Sequence, residues 1–489
     1  MKRALALLLA AATPLVPATA AASGFLVARF GGDYAGPATS HPSAIYYNPA
    51  GLALGHGTRI ALEGVFALRS IEYTRPDAAV DNPLAAGVSS GGTPSDATGA
   101  NSGTATLSNF VAAPFAGFAS DLGVKHLGVG AGVYVPFGGS ASWDENSAYA
   151  GNTAYPGAVD GVQRWHAIDG TIRSLYASAG AAYYLPGPRL SVGAAVNFVR
   201  NQIDTLRARN ADGTDDLVSA AGTLQEGRSL VTAAGNTLSV GAGVIWLPTD
   251  RLFVGLSYQS QPGFGENTLD GFVKNKLSGG TVTSGDIEVL QELPDVMRAG
   301  FRFLASDRLE LRAQAEFVRW SLFEKQCFLD KTMADRACRL ADDGSVAVDD
   351  PATPANEAGV GIIVNVPRAW QDALGARVGA TYLARPGLEV SGSLGWDGNA
   401  VPDETIDPAL FDMNKVFAGV GARIGLLGER LSLTVNYTQF IYFTREVAPR
   451  MRDAAGDAVT SLPPSRQPDA AGTYAQSIGA LSVGLDWAF

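Results

Sequence analysis

The chain has 489 residues, 46% of them hydrophobic and only 17% charged, with 58 glycines, two cysteines and a formal net charge of -11. An acidic chain with no basic run is not built to neutralise phosphates, so nucleic acid is excluded as a partner. Beyond the first residues no continuous apolar stretch reaches the ~20 residues of a spanning helix, which excludes an inner-membrane helical bundle.

The chain begins with Lys2 and Arg3, an apolar run from Ala4, and small residues ending Ala20-Ala21-Ala22. This is the pattern of a secretory signal, residues 1–22, cleaved near Ser23. Pro14 and Pro17 cut the apolar run below the length of a retained anchor. Loss of Lys2 and Arg3 with the leader takes the charge from -11 to -13. Next comes SAIYYNPAGLAL, Ser43 to Leu54, which is neither helix nor strand by pattern. Asn48-Pro49 marks a turn, because proline fixes its own φ and restricts the residue before it. Gly51 permits close backbone approach. A solvated loop and a packed insert both fit these residues.

From residue 58 onward the pattern has a period of two. In RLSVGAAVNFVR, Leu190, Val192, Ala194, Val196 and Phe198 oppose Ser191, Gly193, Ala195 and Asn197. RLFVGLSYQ, RLELRAQAEF and RLSLTVNY repeat it, and Glu310, Arg312, Gln314 and Glu316 form a face that suits a wet lumen better than a dry sandwich core. The C-terminal GALSVGLDWAF alternates in the same way and ends on Phe489, which fits an outer-membrane assembly signal. About fourteen strands are expected, near 58–75, 107–121, 125–137, 166–185, 188–206, 235–248, 251–273, 283–305, 308–325, 366–384, 387–399, 413–426, 429–447 and 473–489. Short links such as LPGPR, LPTDR and LLGER mark one rim, and long polar segments at 76–106, 138–165, 207–234 and 326–365 mark the other. Short turns at one end and long loops at the other describe an all-β fold, a transmembrane antiparallel β-barrel with an even strand number. Cys327 and Cys338, close together after an export signal, read as a disulfide in the loop after the ninth strand. With no histidine nearby, the pair does not make a zinc site.

These residues, in this order, resemble the FadL-type family of outer-membrane long-chain fatty acid and hydrocarbon transporters. The similarity is carried by SGF, AGPATSHPSAIYYNPAGLA, the Val135-Pro136-Phe137-Gly138 run, AYYLPGPRLSVGAAVNFV, VGLSYQS, FVRWSLF, AWQDALGARVGATY and GWDGNAVPDETIDPALFD. The resemblance implies three segments: a leader (1–22), a hatch inside the lumen (23–57) and a fourteen-stranded barrel (58–489). In the hatch, Tyr46, Tyr47, Asn48, Pro49, Ala50 and Gly51 would supply the turn and the filling. It also implies a kinked third strand that opens a gap in the wall, for which Pro136, Phe137, Gly138 and Gly139 are the candidates. Pro136 lacks the donor that a ladder needs, although ending the strand there would explain it equally.

Carried over residue by residue, the ligand-contacting positions fall on Arg207, Val135 and Arg368. Arg207 matches the family's carboxylate-contacting arginine, and the strand phase points it into the lumen; a rim arginine paired with a loop carboxylate is the alternative. Two positions depart from the pattern. Val135 stands where a polar serine is expected, and Val366 where a lysine is expected, with Arg368 two positions later on the same face. Both departures leave room for a less polar ligand.

No enzyme constellation emerges. The four histidines are His41, His56, His126 and His166, and only His166 near Ser174 invites a Ser-His reading, against which a histidine at a strand end stands. No nucleotide-binding loop is present, so transport would be passive, without cofactor or metal. The expected function is uptake of long-chain fatty acids through the outer membrane of a Gram-negative bacterium. The ligand would be captured at the outer loops, held in an apolar pocket and released sideways through the wall. Aromatic or alkane hydrocarbons are the alternative substrate, and a general porin the more distant one. The expected partners are the hydrophobic ligand, outer-membrane lipid and lipopolysaccharide, with the barrel a monomer.

Overall fold

The computed structural model describes residues 30–32, 35–84, 91–210, 213–277, 279–339, 359–427, 430–449 and 468–489. The expected leader and residues 23–29 of the expected hatch lie outside them. Among the described residues fourteen strands close into one antiparallel barrel. They are β1 (Thr58–Arg75), β2 (Gly103–Ser120), β3 (Leu127–Ser142), β4 (Asp169–Leu185), β5 (Leu190–Arg209) and β6 (Gly227–Thr249), followed by β7 (Leu252–Gln259 and Asn267–Lys276) and β8 (Thr283–Gln291 and Val296–Leu304). Then come β9 (Leu309–Val318 and Lys325–Asp330), β10 (Ile362–Pro367 and Ala373–Arg385), β11 (Leu388–Asp397), β12 (Lys415–Leu426), β13 (Leu431–Tyr442, continued by Arg445–Val447) and β14 (Gly472–Ala488). Each strand pairs with its neighbours in sequence, and β1 closes the ring, with Arg59 opposite both Ala488 and Ala119. Closure leaves the sheet without a free edge strand, which is what a sheet needs to stand in lipid.

The alternation decides which face is which. Along β5, Val192, Val196 and Phe198 are exposed on the outside, while Ser191, Ala195 and Asn197 are buried inside. On β1, Leu62, Phe66 and Leu68 point out, and Ala61, Val65 and Ile71 point in. Polar inward residues find partners across the wall: Ser178 Oγ donates to Asn197 Oδ1 at 2.6 Å, and Asn197 Nδ2 donates to Ser239 Oγ at 2.9 Å.

The expected seventh to tenth strands are not continuous. All four break at neighbouring places, around Pro262-Gly263, Pro294, the turn Trp320–Leu322, and Ala369 with its φ of 43°. Proline cannot donate to a ladder, which accounts for the breaks at Pro262 and Pro294; at the other two Trp320, Phe323 and Trp370 are buried and packed on one another. Several strands also run further into the long-loop end than expected, so that Cys327 sits within β9 rather than in the loop beyond it.

Two buried arginines tie the long loops together. Arg75, at the end of β1, donates to the carbonyls of Asp469, Asn101 and Ala79 and pairs with Asp215 at 2.7 Å. Arg164 donates to the carbonyls of Ala100 and Gly161 and to Asn101 Oδ1, and pairs with Glu226 at 3.0 Å.

Candidate functional site

Three layers follow one another along the lumen, and each can be read off the strands that line it. The first is the segment before β1. A short helix α1 (Ala44–Tyr47) and a 3-10 turn (Pro49–Leu54) lie inside the short-turn half of the barrel, with nearly every residue buried. Inward glycines on the wall make this possible: a Cβ at Gly128, Gly193, Gly243 or Gly255 would overlap Leu52, Ala50, Asn48 or Pro37 respectively. Asn48 is the pivot. Its Nδ2 donates to the Pro37 carbonyl at 2.7 Å and the Val244 carbonyl at 3.0 Å, while its Oδ1 accepts from Ala50 N. Ser191 and Ser257 hydroxyls donate to the carbonyls of Ala50 and Tyr47, both at 2.6 Å. Arg298, held by Glu316, lies over the Tyr46 ring at 4.5 Å.

The second layer is aromatic. Tyr46 meets Tyr134, Tyr134 meets Tyr176, and Phe137 meets Trp320, which in turn meets Trp370, with ring centroids 4.8–6.0 Å apart. The wall is interrupted at this height. The β2–β3 ladder runs from Ser120↔Val129 to Phe115↔Tyr134 and stops, although β2 continues on β1 and β3 continues on β4. On the β4 side the register slips between Tyr134↔Tyr176 and Phe137↔Ser174, so Val135 and Pro136 together face Leu175. That is a β-bulge, which bends its strand. The two strands meet again where Asp144 N donates to the Thr106 carbonyl at 2.9 Å. Between these points side chains cross the gap: Asn109 Nδ2 and Arg69 Nη1 donate to the Ser140 carbonyl at 2.9 Å and 3.1 Å.

The third layer is a cavity, open at its mouth, in the long-loop half. Its lining includes an apolar cluster, Ile203, Val231, Val273 and Ile287 with Ile172, Phe328 and Ile363 packed against them. It also includes Arg69, Arg207, Arg209 and Arg368 with Asp204, Asp407 and His166, and Arg207 follows Ile203 on the inward face of β5. Arg368 donates through Nε and Nη2 to Gln326 Oε1 at 2.9 Å and 2.8 Å and pairs with Asp407 at 2.7 Å. Asp407 belongs to the inward-folded loop 398–414 and also accepts from the Ala409 and Leu410 amides. Burial alone would push its carboxyl up, but Arg368, His166 and the Leu410 amide outweigh that and hold it below the usual carboxylate range.

A family model described as "Outer membrane protein transport protein (OMPP1/FadL/TodX)" matches residues 9–461. The chain belongs to the FadL/TodX family. As a FadL/TodX protein it is a barrel of the Gram-negative outer membrane that transports hydrophobic compounds, with the long loops outside the cell. Solved structures share its fold at low identity. A Pseudomonas aeruginosa FadL homologue superposes with a TM-score of 0.70 at 18% identity, over 96% of this chain and 100% of that one. The Pseudomonas putida toluene transporter TodX gives 0.59 at 14% identity over 92% and 94%. The Ralstonia pickettii toluene transporter TbuX gives 0.57 at 15% identity over the same shares. No curated protein matches the sequence.

Arg207 and Arg368 line one cavity, as does Val366, and Gly139 lines its edge beside the wall opening. Val135 is not among the lining residues; it sits in the bulge next to Pro136. Phe137 turns inward into the aromatic layer. Tyr46 to Gly51 lie in the packed insert rather than in a solvated loop. His166, read from sequence as a strand-end histidine, is buried at the cavity. Cys327 and Cys338 have Cα atoms 6.5 Å apart, within the span of a disulfide. Sequence reasoning missed Arg69 and Asp407. Arg69 shares the inward register of Val65 and Ile71, so a charge on that face was the available signal; Asp407 sits in an irregular loop that offers no period.

Proposed function

We propose that this FadL/TodX protein takes up long-chain fatty acids passively, holding the acid in the outer cavity and releasing it sideways into the membrane between β2 and β3. The observation that carries the reading is that one cavity is lined by both an apolar cluster and several arginines. A fatty acid needs both, and the tail supplies the larger share at about 0.8 kcal/mol per buried methylene. Lateral release follows from the same magnitude: a greasy molecule gains nothing by leaving its pocket for a wet lumen. The route down the lumen is filled by the aromatic layer and by the insert, which acts as a hatch and speaks against a general porin. Uptake of an uncharged aromatic is the second reading, favoured by the existing Arg368–Asp407 pair, which leaves that guanidinium already neutralised. It is what the toluene transporters of the same fold are named for.

The test is to restore regular pairing across the bulge with Pro136→Thr and Gly138→Val. The double variant is expected to assemble and to bind palmitate in detergent as the wild type does, yet to lose most uptake in cells. Wild-type uptake by an assembled variant would remove the lateral route, and stronger binding of toluene than of palmitate would favour the second reading.

A further inference from the structure

Arg69 lines the cavity with Arg207 and Arg368 but differs from Arg368 in what holds it. Its Nε donates to Gln476 Oε1 at 2.9 Å, its Nη1 to the Ser140 carbonyl at 3.1 Å, and its guanidinium lies 5.5 Å from the centre of the Phe411 ring. All three partners are neutral. Arg298, Arg312 and Arg368 each have a carboxylate within 2.7 Å, whereas among the described residues no carboxylate pairs with Arg69. A cation inside a membrane protein without a counter-charge is costly, and such a residue marks a place where charge is to be received.

Its position says what it would receive and when. Ser140 lies on β3 above the bulge, on the stretch that has parted from β2, and its carbonyl is where both Arg69 of β1 and Asn109 of β2 hold that stretch. The Arg69 guanidinium therefore stands at the inner edge of the wall opening and at the cavity at once.

We propose that Arg69 is a second head-group residue on the exit side: a ligand carboxylate moving from Arg207 engages its guanidinium, Nη1 leaves the Ser140 carbonyl, and the parted stretch of β3 is loosened as the ligand departs. The exchange replaces a neutral acceptor by a charged one, which binds a guanidinium more strongly. Arg69 thus makes passage selective for acids. This rests on lateral release of an acid as read above.

The test compares uptake of palmitate with that of hexadecanol, which has the same tail without the charge. Arg69→Gln keeps a donor and loses the charge; it is expected to lower the acid-to-alcohol uptake ratio about tenfold, and Arg69→Lys to recover most of it. Gln476→Glu leaves Arg69 in place and gives it a permanent carboxylate, so it should lower the ratio as well, independently of how Arg69→Gln assembles. An unchanged ratio in Gln476→Glu, or a proportional loss of both substrates in Arg69→Gln, overturns the assignment. A wild type that takes up hexadecanol but not palmitate defeats the reading beneath it, and this one with it.

Discussion

A single strand displays two opposite ways of treating the lumen. In the lower part of β5 the inward residues are Ser191, Gly193 and Ala195, small enough for the backbone of the 49–50 turn to lie against the sheet. In the upper part the same face carries Ile203, Thr205 and Arg207, and the lumen there stays hollow. One pleat thus yields a filled half and an empty half by side-chain volume and charge alone. Where the wall is glycine, protein occupies the barrel; where it is isoleucine and arginine, room is left for a ligand.

The largest expected effect comes from breaking the charged lining of the empty half. Arg368→Met leaves Asp407 buried without its ion pair, a loss of about 3–5 kcal/mol for such pairs. It should loosen the loop 398–414 to proteolysis and abolish palmitate binding, while Arg368→Met with Asp407→Asn should restore the loop but not the acid preference. Next is the filled half. Gly193→Val drives a side chain into the Ala50 backbone, and overpacking of this kind costs about 1–3 kcal/mol. The barrel should still form, but liposomes carrying the variant should swell faster in small sugars, the sign of a displaced hatch. Equal swelling would mean that the insert tolerates the intrusion.

The smallest effect is a pH dependence confined to the empty half. The folded pKa of Asp407 lies below its unfolded value of about 3.9. Its contribution is therefore fully present above the unfolded value and is lost as pH falls through the folded one. The stability difference between wild type and Asp407→Asn should be constant from neutral pH down to about 5 and shrink only below about 4. A difference that changes near neutrality would mean that Asp407 does not govern the dependence.

The barrel itself was plain in the sequence, because period-two alternation survives wherever one face meets lipid. The ends of β1 fall at 58 and 75, as the alternation places them. What the alternation could not convey is where a strand stops being regular. The breaks fall at Pro262 in β7 and Pro294 in β8, and beside Trp320 and Trp370 in β9 and β10; a proline within an apolar run reads equally as an end or a kink. The cavity was half legible: Arg207 and Arg368 came from strand phase and resemblance. Arg69 and Asp407 join them only through closure of the barrel, which brings β1 and a loop near residue 407 to one place.

Closure also orders events in time. Arg75 at the end of β1 is bonded to Asp469, which leads into β14, to Asn101, which leads into β2, and to Asp215 beyond β5. The contact with Asp469 spans 394 residues, a separation whose entropy must be met before the bond returns anything. The loop cap is therefore expected among the last parts to form, after β14 has zipped onto β1. A buried Arg75 reports that the seam is shut, so a barrel delayed at insertion would show an unlatched cap long before any fault in its strands.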